Sequence, residues 1–117
     1  MSTGVSTHAE RTARALVDVA RMLDVADRIV ARGYDDFVGD DEIAYLASKA
    51  LLIDLQTACE AFDDEFRSAR PAVPWRELKR IRDRLAHHYV SIDKDLLWNV
   101  LVRELPRLRT DLLVPGS

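Results

Sequence analysis

Cysteine, glycine and histidine are scarce in this chain, and their scarcity removes several classes of function. The 117 residues include one cysteine, four glycines and three histidines. The single cysteine, Cys59, excludes an intramolecular disulfide and favours a reducing compartment. Three histidines and one cysteine nearly exclude a zinc site of four nitrogen and sulfur ligands, and no glycine-rich phosphate-binding motif is present. We therefore expect no metal and no other cofactor.

Long apolar runs and a strong excess of one charge are also missing. No apolar run approaches the ~18 residues of a membrane span, and residues 1–7 lack the apolar segment of a secretory signal. A net charge of −3 does not indicate a nucleic-acid-binding protein. A hydrophobic content of 48% is enough for a core. We expect one soluble cytoplasmic domain, residues 1–117, with no membrane association.

The segments between the few helix breakers are rich in alanine, leucine, arginine and glutamate, which predicts an all-α fold. Gly33 is expected just after the end of the first helix, because glycine adopts positive φ at little cost. Pro106 should kink the last helix or restart it as a short fifth helix. Short connections favour an antiparallel four-helix bundle. The four expected helices span about 7–32, from Asp40 or Asp41 through Phe62, from Pro74 to about Tyr89, and from Asp93 onward.

The third predicted helix carries a charge opposite to that of the whole chain. Between residues 74 and 90, five basic residues accompany two acidic ones, for a local charge of +3. Such a helix can attract a polyanion, although charge alone favours an ordinary solvated helix surface, which is what most charge runs are. The basic residues are Arg76, Lys79, Arg80, Arg82 and Arg84, and the acidic ones are Glu77 and Asp83.

Arg82 is out of place on this helix. At about 100° per residue it falls within the apolar arc of Leu78 and Leu85, where a cation is costly unless its head group reaches solvent or meets an anion. His87 lies about 140° around the helix from Arg82. One chain would not easily direct both side chains at one atom, so either the last helical turn loosens or a second copy of the chain supplies the missing group.

Residues 82–89 read Arg-Asp-Arg-Leu-Ala-His-His-Tyr and contain the pattern R-x-x-x-x-H-x-Y. Together with Trp75 before it and Leu97-Trp98 and Leu105-Pro106 after it, this pattern resembles the HEPN superfamily and, within it, the HepT-like toxins of HEPN/MNT toxin–antitoxin pairs. The resemblance implies a HEPN-like helical homodimer that acts as a metal-independent endoribonuclease toxin in a type VII-like system. The two motifs would face each other across a cleft on the dimer axis.

The resemblance also implies roles for individual residues. Arg82 and His87 would be catalytic. Tyr89 would be the residue to which the cognate MNT-type nucleotidyltransferase antitoxin attaches AMP. The position of Asp83 is often asparagine in this family, and the acid would either orient and charge His87 or weaken phosphate binding. The candidate contacts to the RNA substrate, which could be tRNA or mRNA, are Arg76, Lys79, Arg80, Arg84 and His88.

Other interpretations of the same residues remain open. Arg82 could be a surface arginine, His87 a histidine paired with the helix dipole, and Tyr89 an aromatic of the core. The whole chain could then be a non-catalytic nucleotide- or partner-binding module associated with a nucleotidyltransferase, or a substrate-binding subunit that completes one. Cleavage of RNA under chelation, lost on substitution of Arg82 or His87, would distinguish these functions.

Overall fold

The computed structural model describes residues 7–87 and 92–113, without the side chains of Ala86 and His87. Over these residues the chain forms seven α-helices, one π-helical segment and no strand, so the all-α prediction is confirmed. None of these helices is long and apolar enough to cross a membrane. The helices are α1 His8–Ala31, α2 Tyr34–Phe37, α3 Ile43–Cys59, α4 Asp64–Ser68, α5 Trp75–His87, α6 Lys94–Asn99 and α7 Leu105–Leu113, with the π segment Val100–Glu104 between α6 and α7.

Four long units build the bundle: α1, α3, α5, and the continuous run from α6 through the π segment to α7. Helix α3 packs between α1 and α5, while the π segment and α7 pack against α1. Helices α3 and α5 are antiparallel. The ring of Phe62, just after α3, meets Trp75 at the start of α5 at 5.9 Å, and Tyr45 near the start of α3 donates to the Ile92 carbonyl beyond α5 at 2.7 Å. The predicted antiparallel helical bundle is confirmed.

Both ends of α1 follow from local chemistry. The hydroxyl of Thr7 accepts a hydrogen bond from the Glu10 N–H at 3.0 Å and caps the N-terminus. At the other end, the Arg32 N–H donates to the Ile29 carbonyl at 3.2 Å and the Gly33 N–H donates to the Val30 carbonyl at 2.9 Å. Gly33 follows with φ of +93°, a conformation that side-chain-bearing residues rarely adopt. The sequence therefore predicts this helix and its ending correctly.

The predicted bounds of α3 are wrong at both ends. The helix begins at Ile43 rather than at Asp40 or Asp41, because Glu42 adopts a left-handed conformation with φ of 59° that a continuous helix cannot contain. It ends at Cys59, and Phe62 lies in the following turn, where its N–H donates to the Cys59 carbonyl. Phe62 is nevertheless buried, as its place in the apolar pattern predicts.

Two short helices escape the prediction because neither is long enough to show a helical period. Helix α2 buries Phe37 completely, with its ring 5.3 Å from Trp98 and 6.3 Å from Tyr45. Helix α4 starts at a side-chain cap, in which Asp63 accepts from the Phe66 N–H at 2.8 Å. Helix α2 thus brings both Tyr34 and Phe37 against Trp98, and α4 brings Phe66 against Phe62.

Pro106 acts through the turn that precedes it. Proline has no N–H to donate and its ring crowds the carbonyl four residues earlier. The chain responds with the π segment, in which the Leu105 N–H donates to the Val100 carbonyl five residues back. Helix α7 then continues to Leu113, in agreement with the predicted restart.

Candidate functional site

Helix α5 carries every predicted site residue that the structure describes. Pro74 precedes its first residue, and the Trp75 indole N–H donates to the Arg67 carbonyl at 3.3 Å, which ties the start of α5 to α4. On the inner side Leu85 is buried, and Leu78 and Ile81 are half-buried against the core. The apolar arc predicted for this helix therefore faces the bundle.

Arg82 sits at the edge of that arc, half-buried, with 31% of its side chain exposed. Its Nη1 donates to Asp83 Oδ1 at 3.1 Å. Its Nε is buried and has no hydrogen-bond acceptor among the residues that the structure describes. An unsatisfied buried donor on a charged group costs about 1–3 kcal/mol or more, and the exposed part of the guanidinium remains able to bind an anion.

The structure describes only the backbone at position 87. Helix α5 stays α-helical through His87, so positions 82 and 87 remain about 140° apart around its axis. The carboxylate of Asp83 is engaged with Arg82. The side chain of His87, and the whole of His88 and Tyr89, lie outside the described residues, so the expected contact between Asp83 and His87 stays a prediction.

The outer side of α5 is basic and fully accessible. Arg76, Lys79, Arg80 and Arg84 are all exposed, and none of them forms an ion pair over residues 7–87 and 92–113. At about 100° per residue, position 87 falls on this same side, between Arg76 and Arg80. The four cations thus form a strip, here called the basic strip, that runs along the helix toward the motif histidine.

The first turns of α3 expose an apolar surface, although apolar residues on more than one face of this helix predict that it is buried from two sides, and that prediction is wrong here. Ile43 is 63% exposed and Leu46 is 53% exposed, and Ala47 and Ala50 on the same side are also exposed. We call these four residues the α3 patch. Because α3 and α5 are antiparallel, the α3 patch lies at the end of the bundle where α5 finishes. The apolar residues on more than one side of α3 are a sequence signal for such a surface, but they do not show which side stays uncovered.

Among residues 7–87 and 92–113, no three histidine, cysteine, aspartate or glutamate side chains come together in a group that could hold a metal ion. The charged side chains of α5 are five cations and two carboxylates. Their chemistry suits an anionic ligand that bears phosphate groups.

Comparisons with known proteins identify the family. The family model described as ribonuclease HepT-like matches residues 19–113, a range that contains all of α5. The chain belongs to the ribonuclease HepT-like family. This membership agrees with the resemblance drawn from the R-x-x-x-x-H-x-Y pattern.

Individual relatives of the HepT-like chain come from archaea and bacteria. A Thermococcus cleftensis protein named "Probable ribonuclease HepT" is 28% identical over 80% of this chain and 86% of its own length. A Methanocaldococcus jannaschii protein whose name marks it as a candidate RNase is 32% identical over 68% of this chain and 72% of its own. A Caldanaerobacter subterraneus protein with a similar name is 29% identical over 70% and 72%. No solved structure gives a significant match to this chain.

Proposed function

We propose that this HepT-like chain, as a single domain of residues 1–117, is a metal-independent endoribonuclease that acts as the toxin of a type VII-like HEPN/MNT pair. The observation that carries the proposal is the family match over residues 19–113, a range that includes the R-x-x-x-x-H pattern of α5. Relatives named as ribonucleases support the activity.

The proposed chemistry uses the RNA's own 2′-hydroxyl as the nucleophile. This oxygen attacks the adjacent phosphorus, the bond to the 5′-oxygen breaks, and the products are a 2′,3′-cyclic phosphate and a 5′-hydroxyl. The reaction needs a base for the 2′-OH proton and an acid for the leaving oxygen, and imidazole serves in either role near neutral pH. His87 supplies the imidazole for these proton transfers. Arg82 binds the phosphoryl oxygens, and the partial exposure of its side chain supports this role.

The proposed active form is a homodimer. Within one chain, positions 82 and 87 diverge by about 140°, whereas a two-fold axis would bring Arg82 of one protomer to the His87 of the other. The α3 patch supplies an apolar surface for such an association at the end of the bundle where α5 finishes. Asp83 and Arg82 would then lie beside the cleft between the two copies.

The basic strip is the proposed track for the RNA backbone. Its exposed cations are not neutralised by ion pairs within the described residues, and phosphate contacts from such residues give affinity without base specificity. His88 would add a contact at the end of the strip. The substrate is tRNA or mRNA, and no group on α5 selects between them.

Regulation in this proposal falls on Tyr89. Position 89 follows Arg82 by seven residues, about two helical turns, so an AMP group on the Tyr89 hydroxyl would place a negative phosphodiester close to the arginine. This group would compete with the phosphate of the substrate. The cognate MNT-type nucleotidyltransferase would attach the AMP and thereby act as the antitoxin.

Cleavage of total RNA by the purified full-length chain in EDTA tests the proposal. We expect cleavage products with 2′,3′-cyclic phosphate ends, and we expect Arg82→Ala and His87→Ala each to lower the rate by about 100-fold or more. Arg28→Ala and His8→Ala are matched controls, because both residues are exposed on α1. RNA that stays intact with the folded wild-type chain would contradict the proposal and favour the non-catalytic binding module.

The dimer is tested at the α3 patch. Leu46→Glu should convert the dimer to a monomer, as measured by light scattering during size-exclusion chromatography, and should abolish cleavage. Val17→Glu is the control, since Val17 is an equally apolar residue that is 68% exposed on α1. A wild-type chain that cleaves RNA as a monomer would refute the shared cleft.

A further inference from the structure

A cavity of about 320 Å³ lies between α5 and the C-terminal helix, on the side of α5 away from the basic strip. Its size is at the lower end of the range for small-molecule sites. Its floor comes from α3, one wall comes from α5 and the other from the π segment and α7. The apolar lining consists of Leu52, Leu55, Pro74, Leu78, Ile81, Val100, Leu105 and Leu108.

Gln56 is the one uncharged polar residue of this lining, and it is 94% buried. Its Oε1 is shielded from solvent and accepts no hydrogen bond within the part of the chain that the structure describes. A buried carbonyl without a donor costs about 1–3 kcal/mol. Gln56 lines the cavity and the last torsion of a glutamine side chain is soft, so we expect the amide to turn its oxygen toward a donor bound there. The cavity therefore has an apolar wall and one acceptor in need of a donor.

The mouth of the cavity is charged. Glu77, Glu104 and Arg107 line it and are exposed, and over residues 7–87 and 92–113 they form no ion pair with one another. Two carboxylates against one guanidinium leave a local charge of −1. A ligand with a cationic substituent is thus favoured over the same ligand with an anionic one.

We propose that this cavity binds a free, small, two-ring aromatic molecule with one N–H donor, of the indole class. The rings pack between Leu78, Ile81 and Leu105, and the N–H donates to Gln56 Oε1. The site is separate from Arg82 and the basic strip, and the inference does not depend on ribonuclease activity. It rests on the match between apolar volume and a single unsatisfied acceptor.

A pair of isomeric probes tests the donor. We expect 3-methylindole to bind the full-length chain saturably, as followed by calorimetry and by NMR shifts of the cavity residues. We expect 1-methylindole, which has the same size but no N–H, to bind about two- to tenfold more weakly. Equal affinity of the two isomers, or no saturable binding of either, would overturn the proposal. This comparison uses the wild-type chain and needs no variant to fold.

Variants and charged probes locate the site. Gln56→Leu should remove the preference between the isomers. Leu78→Trp should abolish binding by filling the cavity, whereas Val102→Trp, on an exposed residue of the π segment, should leave it unchanged. Tryptamine should bind more tightly than indole-3-acetate. Unchanged preference in a folded Gln56→Leu variant, or a tryptophan-containing peptide that binds more than tenfold tighter than 3-methylindole, would count against a free ligand in this site.

Discussion

If Arg82 binds phosphate as proposed, replacing Asp83 with asparagine should strengthen RNA binding, because the Asp83 carboxylate competes with phosphate for the same guanidinium. The Arg82 Nη1 lies 3.1 Å from Asp83 Oδ1, and the two side chains are 31% and 43% exposed. An ion pair this accessible to solvent is worth about 0.2–1 kcal/mol. Releasing it before phosphate binds therefore corresponds to about a 1.4- to fivefold gain in affinity. The neutral amide keeps the size of the side chain and removes only its charge.

Fluorescence anisotropy with a 2′-O-methylated RNA, which cannot be cleaved, measures this affinity directly. Asp36→Asn on the exposed part of α2 changes the net charge by the same amount and corrects for long-range attraction. An affinity that is unchanged or weaker in Asp83→Asn would refute the competition between Asp83 and phosphate. A tighter complex with a lower cleavage rate would instead show that the carboxylate also supports His87.

Three further predictions concern stability and reactivity. Leu101→Ala should lower the free energy of unfolding by about 2–5 kcal/mol, since Leu101 is 1% exposed, whereas Val102→Ala at a 38% exposed position should cost less than about 0.5 kcal/mol in the same denaturant titration. Burial raises the pKa of the Cys59 thiol from 9.0 to about 12, so a thiol reagent at pH 8 should modify Cys59 only when the chain unfolds. Because the folded chain holds this proton more tightly than the unfolded chain does, the contribution of Cys59 to the free energy of unfolding is present below pH 9 and is lost as the pH rises toward 12. Arg109 donates at 3.0 Å to both Asp24 and Asp27 of α1. Arg109→Met should lower the free energy of unfolding by under about 1 kcal/mol per pair in low salt and by almost nothing in 1 M salt. A larger or salt-independent loss would show that the aliphatic part of the arginine contributes by packing.

The long helices could be predicted from the sequence because each one satisfies a local rule and a periodic one together. Helix α1 has its threonine cap, an apolar stripe and Gly33 at its end. The start of α3 shows where such reasoning stops. Asp41 is a residue type that caps helices, and its carboxylate does accept a hydrogen bond from the Ile43 N–H. The left-handed conformation of Glu42 nevertheless displaces the start of the helix, and no residue pattern in the sequence predicts that conformation.

The candidate site, too, could be predicted from the sequence only in part. The wheel of α5 predicts Arg82 within the apolar arc, and the side chain is indeed half-buried, because this position depends on the geometry of one helix. The exposure of Ile43 and Leu46, and the cavity beside Gln56, depend on which neighbouring helix covers which side. That choice follows from the packing of the whole bundle, so no single segment of sequence contains it.

The π segment adds one residue to the run from α6 to α7, compared with a regular α-helix that joins the same buried positions. Leu97 and Leu105 are eight positions apart, while Leu105 and Leu112 are seven apart, and all three are at most 2% exposed. Seven positions nearly complete two turns of a regular helix, whereas eight positions exceed two turns by about 80°. The wider π turn takes up this extra rotation, so Leu97 and Leu105 face the same side. Deleting one residue from 100–104 would restore heptad spacing without rotating either flank, whereas the same deletion within α7 would turn its leucines toward solvent. This stretch is therefore where the length of the chain can change by one while the bundle is preserved.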